Sequence, residues 1–97
     1  MKLNVTSDAA KWYIEEMDLK PGDSIKFFGK VYGPHGGFSF AISKMDPSRP
    51  FVLETVEGIN FYIEKSDDWF FIDKDLTVSL DTDRNEPTYE VIVKEEQ

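Results

Sequence analysis

The sequence predicts a single α+β domain that is mainly β, with one N-terminal helix followed by about seven short strands. Apolar residues near the N-terminus recur at helical spacing, and from residue 24 onward the apolar period changes to two. No repeat or linker divides the 97 residues, of which 40% are hydrophobic. A chain of this size and composition can bury a core, so we treat residues 1–97 as one domain.

The helix is predicted near residues 8–18. Four apolar residues there fall at the spacing i, i+3, i+4 and i+7, namely Ala10, Tyr13, Ile14 and Met17. Candidates for the N-cap directly precede them, namely Thr6, Ser7 and Asp8. Pro21-Gly22 suits a type II turn that ends the helix. The acidic residues Asp8, Glu15, Glu16 and Asp18 are interpreted as charges on the solvent side.

Alternating residues then predict the strands. One face of the first strand holds Ile25, Phe27 and Val31, and one face of the next holds Phe38, Phe40 and Ile42. In a later strand, Leu76, Val78 and Leu80 are placed inward. Gly29 suggests a bulge or a close backbone approach. Glu57-Gly58 lies between two strand-like runs and predicts a hairpin. "DDWFFID" is expected to form a short aromatic strand or a turn, and "TYEVIVKEEQ" a last strand with a charged tail.

Composition excludes several kinds of function. The chain has no cysteine, so it supplies no disulfide, thiolate zinc site, cysteine nucleophile or cysteine-ligated cluster. Its net charge of −8 disfavours nucleic acid and anionic membranes as partners. The charge favours solubility, and the alternative is attraction of a basic protein partner. Neither a long apolar run nor an apolar signal segment is present, so a cytoplasmic protein is expected.

Two polar segments are weak candidates for chemistry. "DTDRNE" begins like a calcium loop, but Glu86 stands where glycine is required and Ile92 where glutamate is required. The segment "YGPHGGF" holds His35, the only histidine, without a nucleophile in its loop. Scattered aspartates between strands are usually turn formers. We therefore expect no enzyme activity, and a plain turn is favoured for the loop.

Adjacent aromatic residues raise the question of an interaction surface. Neighbours in a strand point to opposite faces, so "FF", "FY" and "WFF" place large apolar groups on both sides of a sheet. Either the domain itself covers both faces, which is favoured, or one face stays open to a partner. For a homodimer or partner contact, the candidate residues are Phe28, Tyr62, Trp69 and Phe71.

The order of these elements resembles the HesB/IscA-like family of A-type iron–sulfur carriers. The matching segments are "LNVTSDAAKWYIEEM", "IKFFGKVYGPHGGFSFAISK", "VEGINFYIEKSDDWFFID" and "LTVSL", which together span roughly residues 3–80. The resemblance implies a HesB-like domain, in which a distorted two-layer β arrangement accompanies the N-terminal helix. No single motif is highly specific, and the case depends on order and spacing.

The departures from that family concern its cluster ligands. The family's first cysteine falls at Pro34, beside His35, in the loop formed by Gly33, Pro34, His35, Gly36 and Gly37. The closing "CGC" is absent from the tail "VIVKEEQ". The resemblance therefore implies a cysteine-less HesB-like protein that holds no cofactor and is not itself a cluster carrier. His35 is a weak metal candidate, because one imidazole cannot supply the ligands of a common cluster.

By resemblance, the expected role is that of an accessory or interaction protein in iron–sulfur biogenesis, with assembly proteins as partners. The alternative is a small protein-binding module unrelated to iron.

Overall fold

Two sheets and one helix enclose a common core in the computed structural model, which describes residues 2–32 and 37–93. In chain order the elements are β1 (Leu3–Val5), α1 (Ser7–Met17), β2 (Ser24–Tyr32), β3 (Gly37–Lys44), β4 (Pro50–Val56), β5 (Ile59–Glu64), a 3-10 turn (Lys65–Asp67), α2 (Asp68–Phe71), β6 (Lys74–Asp81) and β7 (Glu86–Val93).

Each sheet contains one parallel pair that joins distant parts of the chain. The three-stranded sheet has the order β1-β6-β7, and β1 runs parallel to β6 with Val5 opposite Val78. The four-stranded sheet has the order β3-β2-β5-β4, and β2 runs parallel to β5 with Ile25 opposite Phe61. The other neighbours are antiparallel. The mainly β, α+β architecture predicted from the sequence is confirmed.

Helix α1 begins and ends by local chemistry. The Thr6 hydroxyl accepts a hydrogen bond from the Ala9 amide at 3.2 Å, so Thr6 is the N-cap among the three candidates. Asp18 ends the helix in the left-handed region with φ 51°. The predicted turn follows, in which the Asp23 amide donates to the Lys20 carbonyl at 2.9 Å and Gly22 has φ 95°.

An aromatic cluster forms the centre of the core. Phe27 of β2 and Phe61 of β5 stack with ring centroids 5.8 Å apart, and Tyr13 of α1 tilts against Phe61 at 5.9 Å. The Tyr13 hydroxyl forms a hydrogen bond with the Tyr89 hydroxyl, which links the helix to β7. The apolar stripe of the helix and the alternating faces of both sheets therefore meet at one place, as the periodicities predict.

Three local predictions differ from the structure. "DWFF" (Asp68–Phe71) is helical in α2 rather than a strand or turn. Strand β1 was not predicted, because only three residues form it. The pairing of β2 with β3 continues in unbroken register through Gly29, opposite Phe40, so Gly29 does not form a bulge, and the alternative of a close backbone approach stays a prediction. The predicted hairpin at Glu57-Gly58 is confirmed, with φ 53° and 80° at its two central residues.

No helix among the described residues is long and apolar enough to cross a membrane.

Candidate functional site

The loop at the family's ligand position lies between two strands of one hairpin. Tyr32 pairs with Gly37 at the loop end of the antiparallel β2–β3 pair. Gly33, Pro34, His35 and Gly36 lie outside the described residues. The weak metal candidacy of His35 therefore stays a prediction.

The four aromatic residues predicted for an interaction surface separate into exposed and buried positions. Trp69 is 55% exposed and Phe28 is partly buried, with the Lys26 ammonium 4.9 Å from its ring centroid. Tyr62 and Phe71 are fully buried. These two cannot contribute to a surface of the folded chain, which corrects that part of the prediction. A contact through Trp69 or Phe28 stays a prediction.

The helical conformation of α2 explains why Phe71 is buried. In a strand, residues 69 and 71 would share one face. In a helix, residues two apart lie on nearly opposite sides, at about 200°. Trp69 therefore faces outward and Phe71 enters the core cluster.

Tyr62 lies on the face of β5 opposite to the core, but the connection between β3 and β4 covers it. Its hydroxyl donates to the Met45 carbonyl at 2.7 Å. The Glu64 carboxylate accepts hydrogen bonds from the amides of Ser48 at 2.8 Å and Arg49 at 3.0 Å. These bonds hold residues 45–49 against the end of β5, so the chain itself covers Tyr62.

Charged and polar groups around Tyr62 shift the pKa values of Tyr62 and Glu64. Burial, and after it the nearby carboxylates of Glu64, Asp46 and Asp67, together raise the pKa of Tyr62 to about 12. The Arg49 and Ser48 amides hold the pKa of Glu64 below its usual value. Asp67 Oδ2 makes no hydrogen bond within the described residues, although the Lys26 ammonium lies 3.9 Å away. The arrangement therefore has a structural role, and we call the bonds by which Glu64 holds Ser48 and Arg49 the Glu64 clip.

No group of three or more histidine, cysteine, aspartate or glutamate residues in the described part of the chain could hold a metal ion. In the segment that resembles a calcium loop, the Asp81 carboxylate instead accepts hydrogen bonds from the amides of Asp83 at 3.0 Å and Arg84 at 3.3 Å. Asp81 therefore stabilises the β6–β7 turn, as expected for a turn-forming aspartate.

The sequence alone did not single out a groove between α1 and the β6–β7 turn. Trp12 is partly buried there, and its indole N–H donates to the Asn85 carbonyl at 2.7 Å. The other groove residues are Asp8, Lys11, Glu15, Glu16 and Leu80. Asp8, Glu15 and Glu16 stand at i−4, i+3 and i+4 from Trp12, which is the signal that could have revealed the groove.

Comparison with solved structures identifies the fold. The chain resembles the crystal structure of Escherichia coli SufA, described as involved in biosynthesis of iron-sulfur clusters, with a TM-score of 0.66. The match covers 99% of this chain and 83% of SufA at 17% sequence identity. The protein therefore has the HesB/IscA-like fold that its sequence resembles.

Sequence comparison identifies the family. No protein-family model matches the chain. It is 40% identical over 93 residues to the pyruvate dehydrogenase inhibitor of Bacillus subtilis, covering 93% of this chain and 98% of that protein. It is also 26% identical over 95 residues to the uncharacterized protein SSP1406 of Staphylococcus saprophyticus. The chain belongs to the family of the Bacillus subtilis pyruvate dehydrogenase inhibitor.

Proposed function

We propose that this chain is a cytoplasmic protein that binds pyruvate dehydrogenase and inhibits it by direct contact, without catalysing a reaction itself. The observation that carries the proposal is the 40% identity to the Bacillus subtilis inhibitor over nearly the whole of both chains. The alignment covers 93% of this chain and 98% of the relative, which supports assigning the inhibitory role to the region that the two proteins share.

The chemistry of the chain is consistent with inhibition by binding. It has no cysteine, and its described residues form no group suited to a metal ion. The polar side chains around Tyr62 are used in holding the 45–49 connection. A surface that contacts another protein requires none of these chemical groups, only complementary shape and charge.

The second candidate is an accessory role in iron–sulfur biogenesis, which the SufA-like fold favours. A fold hosts many functions, so this support is weaker than that from a full-length relative. Under this alternative, the partners are assembly proteins such as a cysteine desulfurase or a scaffold protein.

A binding competition separates the two candidates. The chain, immobilised through a tag, is offered purified pyruvate dehydrogenase and purified cysteine desulfurase and scaffold proteins from the organism that encodes it. The proposal predicts saturable retention of pyruvate dehydrogenase and no retention of the assembly proteins above a bare-resin control. Retention of an assembly protein alone would replace the proposal with the second candidate.

A further inference from the structure

The groove beside Trp12 combines an aromatic ring with carboxylates that are not neutralised. Within the described residues, the side chains of Asp8, Glu15 and Glu16 form no ion pair. By contrast, Asp23, Asp67 and Asp68 each lie within 4 Å of a lysine ammonium, at distances of 3.4, 3.9 and 2.8 Å respectively. Among the described residues, Lys11 is the single cation lining the groove. The groove is therefore locally anionic.

The two walls of the groove are held in place independently of any ligand. Thr6 caps the helix that presents Trp12. On the opposite wall, Asp81 fixes the turn that contains Asn85, which has φ 53°. The indole–carbonyl bond at 2.7 Å then joins the walls. A preorganised groove loses little conformational entropy when a partner binds.

The negative charge of the groove determines which kind of ligand can bind there. A second copy of the chain carries the same net charge of −8, and nucleic acid is also anionic, so both are repelled. A cationic side chain suits the site, because it can lie on the tryptophan face while pairing with a carboxylate. We infer that this groove receives an arginine or lysine side chain from a basic segment of a protein partner. Taking pyruvate dehydrogenase as that partner rests on the proposed function.

The first experiment measures inhibition of pyruvate dehydrogenase by matched variants. Glu15→Gln/Glu16→Gln neutralises two groove carboxylates and keeps residues of similar helix propensity. Glu54→Gln/Glu57→Gln removes the same charge at exposed positions outside the groove. We expect the inhibition constant of the groove variant to rise about threefold to tenfold relative to the control variant. Equal inhibition by both variants would overturn the inference and leave the proposed function standing.

The second experiment tests the groove without pyruvate dehydrogenase. In a Trp69→Phe protein, Trp12 is the single tryptophan and reports binding by its fluorescence. A peptide of alternating arginine and glycine should change this fluorescence saturably, and a serine–glycine peptide should not. Adding Glu15→Gln/Glu16→Gln should weaken the response by a similar factor, whereas adding Glu54→Gln/Glu57→Gln should leave it nearly unchanged.

The outcomes of the two experiments distinguish an error in the groove inference from an error in the proposed function. If wild-type protein does not inhibit pyruvate dehydrogenase but the peptide binds beside Trp12, the proposed function is wrong and the groove inference stands. If the arginine peptide leaves Trp12 fluorescence unchanged, the inference is overturned whatever the inhibition result.

Discussion

At the scale of single residues, the side chain of Tyr13 connects helix α1 to both sheets. It is fully buried, its ring contacts Phe27 and Phe61, and its hydroxyl is paired with that of Tyr89. Burial, followed by the bond to Tyr89, raises its pKa far above that of a free tyrosine, so the hydroxyl stays protonated in the folded chain. The sequence predicts an inward Tyr13 from its helical spacing, but it contains no signal for the partner 76 residues away.

Removing the Tyr13 hydroxyl should destabilise the fold modestly. Tyr13→Phe keeps the ring contacts and loses one hydrogen bond, so we expect the free energy of unfolding to fall by about 1 kcal/mol. Urea denaturation followed by circular dichroism measures the change. The matched control is Ser79→Ala, which removes a hydroxyl from the exposed Ser79–Thr88 pair, where about 0.5 kcal/mol or less is expected. A loss for Tyr13→Phe no larger than for Ser79→Ala would show that the Tyr13–Tyr89 bond does not contribute.

At the scale of elements, the N-cap of α1 can be tested by adjacent substitutions. The Thr6 side chain accepts the Ala9 amide, whereas Ser7 is already the first helical residue. Thr6→Ala should lower the free energy of unfolding by about 1 kcal/mol, while Ser7→Ala should change it much less. Urea denaturation of both variants provides the comparison. A larger loss in the free energy of unfolding for Ser7→Ala than for Thr6→Ala would show that Ser7, and not Thr6, is the N-cap.

The clip formed by Glu64 should make stability depend on pH at the acidic end. Its pKa is lowered in the folded chain, first by the Arg49 amide and then by the Ser48 amide. Its contribution is therefore fully present above the pKa of an unfolded glutamate, about 4.3, and is lost as pH falls through the lower folded value. We expect Glu64→Gln to destabilise the protein at neutral pH. At a pH low enough to protonate the wild-type Glu64 carboxyl in both the folded and the unfolded state, the variant should differ little from wild type.

Urea denaturation over a series of pH values measures this effect. Glu54→Gln is the control, because Glu54 forms no hydrogen bond or ion pair within the described residues. A stability difference between wild type and Glu64→Gln that stays constant down to the acid limit would contradict the assignment.

Periodicity predicted most elements, and the exceptions have physical reasons. Helix α1 and the β4–β5 hairpin follow from local spacing and from Glu57-Gly58. Strand β1 exists because it pairs with β6, some 73 residues later, and a three-residue run carries no detectable period. Segment 68–71 has a composition typical of strands, but its helical turn lets Phe71 reach the core. Tertiary packing decided both cases.

The same limit applies to the candidate surfaces. Alternation correctly places Tyr62 opposite to Phe61 and Ile63, but it gives no indication that the 45–49 connection covers it. The Trp12 groove requires α1 and the β6–β7 turn to meet, which only the fold determines. The spacing of its carboxylates is nevertheless present in the sequence, although the same spacing is typical of any solvent-facing side of a helix.

At the scale of the whole molecule, the net charge of −8 should steer association with a basic partner. We expect the proposed binding to pyruvate dehydrogenase to weaken as ionic strength rises, mainly through a slower association rate. Surface plasmon resonance at several salt concentrations separates the two rates. A salt-independent association rate would show that the acidic surface does not guide the encounter.

The central proposal, that the chain inhibits pyruvate dehydrogenase by contact and without a cluster, is tested most directly by one activity titration. Pyruvate oxidation by the purified complex is measured against increasing amounts of chain, either stripped of metal with a chelator or treated anaerobically with iron and sulfide and then desalted. The account predicts the same saturable inhibition by both samples, with no bound iron in either. Inhibition that appears only in the iron-treated sample, together with retained iron, would contradict it.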